Sequence, residues 1–188
     1  RLGLVAQDAR LPEDQADDGH AEQPDEQQRA APIHHQQQQR HDEAEVVFVP
    51  VDARGVLDLD WLAGFLGDRG AEVALVTLMW ANNEVGVLHP IKTVVELAST
   101  HQIPVHSDAV AAFGHVAVNF AESGLAAMSV SGHKIGAPIG IGALIVSRAT
   151  VVESIIHGGG QERGFRSGTM NAPGAAAFAV AAELAVAE

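Results

Sequence analysis

Cysteine is absent from the 188 residues, and basic residues are few. Without cysteine the chain can form neither a disulfide nor a thiolate metal site. Lysine and arginine number 11 against 24 aspartates and glutamates, a net charge of −13, which argues against nucleic acid or an anionic membrane as a partner. No apolar run reaches the roughly 20 residues of a membrane-spanning helix, and no signal peptide is visible, so a cytoplasmic location is predicted.

The first 43 residues differ in composition from the rest. They are dense in Asp, Glu, Gln and His, and their sparse apolar residues follow neither a helical nor a strand period. Such a segment buries too little surface to offset its ordering entropy, so residues 1–43 are predicted to be mostly disordered and dispensable for folding of a second unit, residues 44–188. His34, His35 and His41 are metal-ligand types, but no spacing fixes a geometry, so a solvated polar tract is preferred and no metal site is assigned.

From residue 45 onward, apolar runs alternate with amphipathic stretches. Continuous apolar runs such as 73–79 are typical of strands in a parallel sheet. The predicted strands are 46–51, 73–79, 103–106, 126–130 and 141–146, and the predicted helices are 57–66, 90–101 and 172–187. This alternation of strands and helices predicts an α/β fold with a parallel-rich sheet.

A single lysine lies between the last two predicted strands. Lys134 follows the apolar run 126–130 and precedes a glycine-rich loop, beyond which 141–146 is predicted to be a second buried strand. A desolvated lysine among small residues loses its proton more readily and can form an imine with a carbonyl compound. The alternative is a surface lysine in a turn.

Polar side chains near Lys134 favour imine chemistry. Ser131 and His133 precede it and offer hydrogen bonds to an anionic phosphate. Asp108 follows the predicted strand 103–106, and the carboxyl ends of such strands border the crevice where α/β sheets bind ligands. A lysine, an acid that keeps a ring nitrogen protonated, and phosphate donors together form the set that pyridoxal 5′-phosphate (PLP) needs.

Four motifs follow one another along the chain. They are Asn-Asn-Glu-Val-Gly at 82–86, His-Ser-Asp-Ala at 106–109, Ser-Val-Ser-Gly-His-Lys at 129–134 and Gly-Gly-Gly-Gln-Glu-Arg-Gly-Phe-Arg-Ser-Gly-Thr at 158–169. Together they closely resemble the motifs of the cysteine desulfurases, which belong to the class V aminotransferase group of PLP enzymes. The resemblance runs from about Glu45 to Glu188. It implies part of the large domain of a fold-type I PLP transferase, with the predicted disordered segment in front of it.

The resemblance implies roles for three residues around the cofactor ring. Lys134 would carry PLP as a Schiff base, and Asp108 would pair with the protonated ring nitrogen. Asn83 would reach the phenolic oxygen of the cofactor or the carboxylate of the substrate. A turn-forming role is the alternative for Asn83 and Asp108.

The same resemblance implies contacts with the cofactor phosphate. Ser131 and His133 would hold it, and Thr169 would reach the phosphate of the cofactor in a partner subunit, which implies a homodimer. A cap on the following helix is the alternative for Thr169. Ala111 stands where the family has a glutamine near the phenolic oxygen, which implies a weaker hold on the cofactor.

The implied reaction converts cysteine to alanine and passes the sulfur, through an enzyme persulfide, to an acceptor protein, as in iron–sulfur cluster assembly. The persulfide needs a cysteine thiolate, which this sequence lacks, and the family's upstream phosphate loop, stacking histidine and substrate-binding arginine are not found in it. The 188 residues are therefore expected to be incomplete and weak or inactive alone. Two alternatives stay open: a non-catalytic remnant or dimerising module of this fold, and a class V aminotransferase or lyase with other chemistry.

Overall fold

The structure is a computed structural model that describes residues 2–6 and 45–187. Its centre is a six-stranded sheet in the order β2-β1-β3-β4-β5-β6. The strands are β1 (Leu2–Ala6), β2 (Glu45–Phe48), β3 (Val73–Met79), β4 (Val105–Asp108), β5 (Ala127–Ser131) and β6 (Gly142–Val146). Neighbouring strands from β2 through β5 are parallel, whereas β6 pairs antiparallel with β5. The prediction of an α/β fold with a parallel-rich sheet is confirmed.

Helices fill the described connections between parallel strands: α1 (Leu59–Arg69), α2 (Ile91–Ser99) and α3 (Phe120–Ser123). A further helix, α4 (Ala172–Ala187), follows β6. The carboxylate of Asp58 accepts a hydrogen bond from the backbone N–H of Trp61 at 2.8 Å and so caps α1. None of the helices in the described ranges has the length and apolar character that crossing a membrane requires.

One face of the sheet forms the apolar core. Alternate side chains of a strand point to the same face. On this face, β3, β4 and β5 bury Val76, Leu78, Val105, Ser107, Met128 and Val130. Leu62 and Leu66 of α1 and Val94 of α2 belong to the same cluster and are each 1% exposed. Burying one side chain of this size contributes about 1.5–3 kcal/mol, so this layer is a main source of stability for the sheet.

The opposite face of β3, β4 and β5 carries polar side chains. Thr77, His106, Asp108, Ser129 and Ser131 alternate with the core residues, and all five are partly buried. Thr77 is the register partner of His106, and Asp108 is the register partner of Ser129, so their strands hold them side by side. These five residues are called the polar face below.

The first segment, predicted to be mostly disordered, contains one strand in its described part. Leu2–Ala6 form β1, which lies between β2 and β3 and pairs in parallel with both. The sheet therefore includes residues from both of the predicted units. The other residues of the first segment, including His34, His35 and His41, lie outside the described residues.

The strand predicted at 141–146, after Lys134, is present as β6, but the prediction that it is buried is wrong. β6 lies at the end of the strand order, and its residues 142–144 are exposed, with Leu144 at 53%. An apolar run predicts a strand whether the strand is central or at an edge, because the pattern does not report what covers it.

Candidate functional site

Lys134 lies in a short 3₁₀ helix, Gly132–Ile135, that follows β5 directly. A side chain at Gly132 would meet Ile141 at 2.9 Å and Ala137 at 3.0 Å, so the tight packing of this turn requires glycine. The turn ends at Gly136, whose φ of +85° is in the left-handed region. Lys134 is exposed. The described residues therefore do not provide the desolvation expected for it, and its position matches the alternative of a lysine in a turn.

Ser131 and His133 lie beside each other at the start of this turn. The Ser131 hydroxyl and the Nδ1 atom of His133 are 2.8 Å apart and share a hydrogen bond. Ser131 is the last residue of β5 and His133 is the second residue of the 3₁₀ helix. A hydroxyl, an imidazole and the N–H groups of a helical turn are suitable donors to a phosphate. The structure thus brings these two predicted residues together next to Lys134.

Asp108 ends β4 on the polar face. Its Oδ1 atom accepts a hydrogen bond from the N–H of Val110 at 2.9 Å. This oxygen therefore has the turn-forming role that was the alternative for Asp108. The backbone around it is tied to both neighbours: Trp80 N–H donates to the Asp108 carbonyl at 2.7 Å, and Ala109 N–H donates to the Ser129 carbonyl at 2.9 Å. The carboxylate is thereby fixed at the carboxyl edge of the sheet, where ligands of α/β folds bind.

Asn83 lies in the loop after β3, at the same edge. The turn itself is held by its neighbour, because Asn82 Oδ1 accepts hydrogen bonds from the N–H groups of Glu84 at 2.8 Å and Val85 at 3.0 Å. The side-chain amide of Asn83 is exposed and donates to the Glu84 carboxylate at 2.7 Å. The turn-forming role is therefore assigned to Asn82 rather than to Asn83.

Thr169 follows a glycine-rich loop, 157–168, organised by two polar side chains. The hydroxyl of Ser167, which is 6% exposed, accepts a hydrogen bond from Gly160 N–H at 3.2 Å, and Gln161 Oε1 accepts one from Gly168 N–H at 2.9 Å. Asn171 caps α4, because its Oδ1 accepts from Gly174 N–H at 3.0 Å. Thr169 is exposed and does not have the capping role. Among the described hydrogen bonds, none links it to Lys134 or Ser131.

His106 is a site residue that sequence reasoning missed. Its ring lies between two strands, with Nδ1 at 2.8 Å from the Thr77 hydroxyl and Nε2 at 2.9 Å from the Ser129 hydroxyl. Burial lowers the pKa of His106 from its ordinary value, and the nearby Asp108 carboxylate opposes part of that shift. The available signal was its spacing, because a histidine two residues before Asp108 on a strand shares the face of that aspartate.

The carboxyl edge of β3, β4 and β5 therefore gathers an amine, a carboxylate and phosphate donors. In the described part of the chain, no group of three or more His, Cys, Asp or Glu residues could hold a metal ion. The donor set fits PLP: an amine for its aldehyde, a carboxylate for its ring nitrogen, and a hydroxyl with an imidazole for its phosphate. Asn83 and Thr169 lie on flanking loops rather than within this set.

Comparisons with known proteins show which proteins the chain resembles. The family model for aminotransferase class-V matches residues 21–188. An IscS-like cysteine desulfurase of Mycobacterium tuberculosis is 44% identical over 146 residues, which are 78% of this chain and 37% of that protein. A solved NifS-like protein matches with a TM-score of 0.76 at 35% identity, over 83% of this chain and 43% of its own. The structure of SspA in complex with cysteine matches with a TM-score of 0.71 at 31% identity, over 80% of this chain and 43% of its own.

The matched relatives are longer than this chain. The 188 residues align with between 34% and 38% of the length of the curated relatives. These two structural matches exceed 30% identity, so their likeness to the chain includes sequence as well as fold.

Proposed function

The chain belongs to the class V aminotransferase family, and we propose that it provides the cofactor-binding residues of a PLP-dependent cysteine desulfurase. The observation that supports this most directly is the grouping of Asp108, Ser131, His133 and Lys134 at the carboxyl edge of β4 and β5. The similarity to a cysteine desulfurase at 44% identity supports the choice of reaction.

In this proposal, each side chain acts on a different part of PLP. When bound, PLP supplies an electron sink that stabilises negative charge on an amino-acid substrate. Lys134 Nζ is the point of covalent attachment, and the carboxylate of Asp108 keeps the ring nitrogen protonated. Ser131 and His133, already joined by a 2.8 Å hydrogen bond, hold the phosphate. Asn83 extends from the loop after β3 to bind the phenolic oxygen or the substrate carboxylate.

Cysteine is the proposed substrate, with alanine and a transferred sulfur atom as products. The relative solved as SspA in complex with cysteine supports an amino-acid substrate of this kind. Sulfur transfer needs an attacking thiolate, and none of the 188 residues is a cysteine. The thiolate and the sulfur-acceptor protein are therefore proposed to come from outside these residues.

A homodimer is the proposed assembly. Thr169 is exposed at the end of an ordered loop, and the helix cap next to it is provided by Asn171. An exposed hydroxyl that has no part in the helix cap is suited to contact a phosphate in a second copy of the chain.

The covalent attachment is testable because the chain has two lysines, Lys92 and Lys134. The 188-residue chain is incubated with PLP, reduced with borohydride and mapped by mass spectrometry, with the visible absorbance recorded before reduction. The adduct is expected on Lys134. It should persist in Lys92→Ala and disappear in Lys134→Ala. Lys92 is an exposed residue of α2 and serves as the matched control.

Two results would overturn the proposal. An adduct found on Lys92 in the wild type, retained in Lys134→Ala and lost in Lys92→Ala, would mean that Lys134 is an ordinary surface lysine. Formation of alanine from cysteine by the chain and PLP alone, lost in Lys134→Ala, would refute the need for an external thiolate. Transamination or β-elimination of cysteine would instead show a class V enzyme with other chemistry.

A further inference from the structure

The polar face contains a hydrogen-bonded bridge across three strands. Thr77 on β3, His106 on β4 and Ser129 on β5 are joined by contacts of 2.8 Å and 2.9 Å, one at each ring nitrogen of the histidine. Rotation of the ring about χ1 or χ2 would break both bonds, so the bridge fixes its orientation. Asp108 is two residues further along β4 on the same face, and it is also the register partner of Ser129.

Both partners of the ring are hydroxyls, which can donate or accept. The bridge therefore remains satisfied when His106 is neutral and when it is protonated, so protonation need not displace the ring. What changes on protonation is the charge next to Asp108. Burial lowers the pKa of His106, which favours the neutral ring near pH 7, and the Asp108 carboxylate raises that pKa in part.

Asp108 is the charged group whose interaction with the His106 ring matters for this site, because the residues that contact the ring are uncharged. The elements that flank His106 are β3 and β5, and their contacting residues, Thr77 and Ser129, do not titrate near neutral pH. Among the described residues, the other titratable groups at this edge include Glu84, His115, His133 and Lys134. Glu84 belongs to the loop after β3, where its carboxylate accepts from Asn83. The other three belong to the loop after β4 and to the turn after β5, where His115 Nε2 lies 3.1 Å from the Lys134 carbonyl oxygen.

We propose that His106 is a positioning residue of this site, a fixed imidazole whose protonation competes with a cationic ring nitrogen for the carboxylate of Asp108. The proposal rests on the proposed function, because the cationic ring is that of PLP. A cation bound at Asp108 repels a proton on His106, and a proton on His106 repels that cation. Because linkage is reciprocal, the two effects are equal in size.

Because a cationic ring nitrogen at Asp108 and a proton on His106 repel each other, cofactor binding should lower the pKa of His106. Acidification through that pKa should weaken cofactor binding, in the window below the ordinary histidine value of about 6.5. A coupling of one pKa unit would correspond to a loss of affinity of up to about tenfold, reached once the pH lies below the His106 pKa of both the free and the bound chain.

The first experiment follows the imidazole signals of the 188-residue chain by NMR between pH 4.5 and 8, with and without PLP. The His106 signal is assigned from its absence in His106→Gln. Its pKa is expected to fall when PLP binds, and to fall in the PLP-free chain on Asp108→Asn. The signal of the exposed His101, which precedes β4 at the opposite end of the strand, serves as the internal reference. An unchanged His106 pKa in Asp108→Asn overturns the proposal without any need for bound PLP.

The second experiment compares PLP affinity in wild type, His106→Gln and the control His101→Gln. Glutamine keeps one donor and one acceptor but does not titrate. The ratio of the wild-type affinity to the His106→Gln affinity should fall as the pH is lowered from 7.5 to 4.5, by up to about tenfold. The PLP titrations are common to all samples and cancel in this ratio. A ratio that stays constant with pH would reduce His106 to a structural residue and overturn the proposal.

The two proposals fail in different ways. If the wild type does not bind PLP at Lys134, the proposed function is refuted, and the PLP-free titration of Asp108→Asn still decides whether His106 and Asp108 are coupled. If PLP binds at Lys134 and the His106 pKa does not move, the proposed function stands and this inference is refuted.

Discussion

Segments 45–131 and 132–187 are both rich in aliphatic residues, yet they differ in burial. The buried hydrophobic side chains of the described residues all lie between Val49 and Val130. In segment 132–187 the buried positions are Gly132, Ser167 and Gly174. Helix α4 is apolar apart from Glu183, but its Val180, Leu184 and Val186 are 57%, 61% and 79% exposed.

This difference shows that apolar content predicts secondary structure better than it predicts burial. In segment 45–131, strands and helices alternate, so each strand has a helix to cover it. In segment 132–187, an edge strand is followed by a polar loop and a helix. A helix that is apolar all round is of the kind that other surfaces cover. Among the described residues its aromatic anchor is Phe178, whose ring meets Phe113 edge-on at 6.2 Å.

The candidate site lies where the two segments meet. Asn83 and Asp108 are held by the well-packed segment, whereas Lys134 and Thr169 belong to the exposed one. Phe178 of α4 also lies 3.1 Å from the position of a Cβ at Gly132, so the exposed helix contacts the lysine turn directly. Changes in segment 45–131 should therefore affect folding, and changes in segment 132–187 should affect mainly the site.

The largest effect on this comparison should come from deleting residues 1–6. The deletion removes β1, which fills the position between β2 and β3, and it leaves β2 without the strand it pairs with. Several cross-strand hydrogen bonds at about 0.5–1.5 kcal/mol each are lost, so a destabilisation of about 5 kcal/mol or more is expected. Chemical denaturation followed by circular dichroism measures it.

A chain shortened by residues 186–188 is the control for that deletion. Val186 and Ala187 are exposed, so this truncation should change the denaturation midpoint little. A chain without residues 1–6 that kept the wild-type midpoint would mean that β1 is dispensable for the stability of the sheet.

The missed strand shows which features a single sequence can predict. The run 73–79 and the helix 172–187 have the predicted bounds, because a long continuous pattern identifies itself. β1 has five residues, includes Gly3 and is followed by a polar tract, so nothing local marks it as a strand. β1 becomes a strand because it pairs with β2 on one side and β3 on the other, and both of these strands are distant from it in sequence.

The candidate site shows the same limit. Lys134, Ser131 and His133 were predicted because they are close in sequence, and Asp108 because it ends a strand. The bridge through His106 was missed, since it depends on the registers of three strands. Asn82 rather than Asn83 holds the turn, and that choice between adjacent identical residues needs the geometry.

A smaller effect is expected from paired leucine substitutions. Leu62→Ala creates a cavity at a side chain that is 1% exposed, and a loss of about 2–5 kcal/mol of unfolding free energy is expected. Leu184→Ala removes a side chain that is 61% exposed, and a change within about 0.5 kcal/mol is expected. Both are measured by urea denaturation at one protein concentration. Equal losses would mean that α4 is covered in solution, which dilution of the sample would reveal if a second copy covers it.

The smallest effect concerns pH, and it again separates the two segments. His89 in segment 45–131 is 8% exposed, and its Nδ1 atom is buried without a hydrogen-bond partner among the described residues. Burial lowers the pKa of His89 in the folded chain. As the pH falls below about 6.5, the unfolded chain binds the proton first, so the free energy of unfolding decreases until the folded pKa is reached. One such proton contributes a slope of up to about 1.4 kcal/mol per pH unit. The pKa of His106 is lowered as well, so His106 adds to the slope.

His89→Gln should reduce the slope of unfolding free energy against pH between pH 6.5 and 5, whereas His157→Gln, at an exposed position in segment 132–187, should leave it unchanged. The slope is compared rather than the absolute stability, because glutamine at a buried position has its own effect on folding. An identical slope in His89→Gln and wild type would show that the acid sensitivity does not arise from this buried histidine.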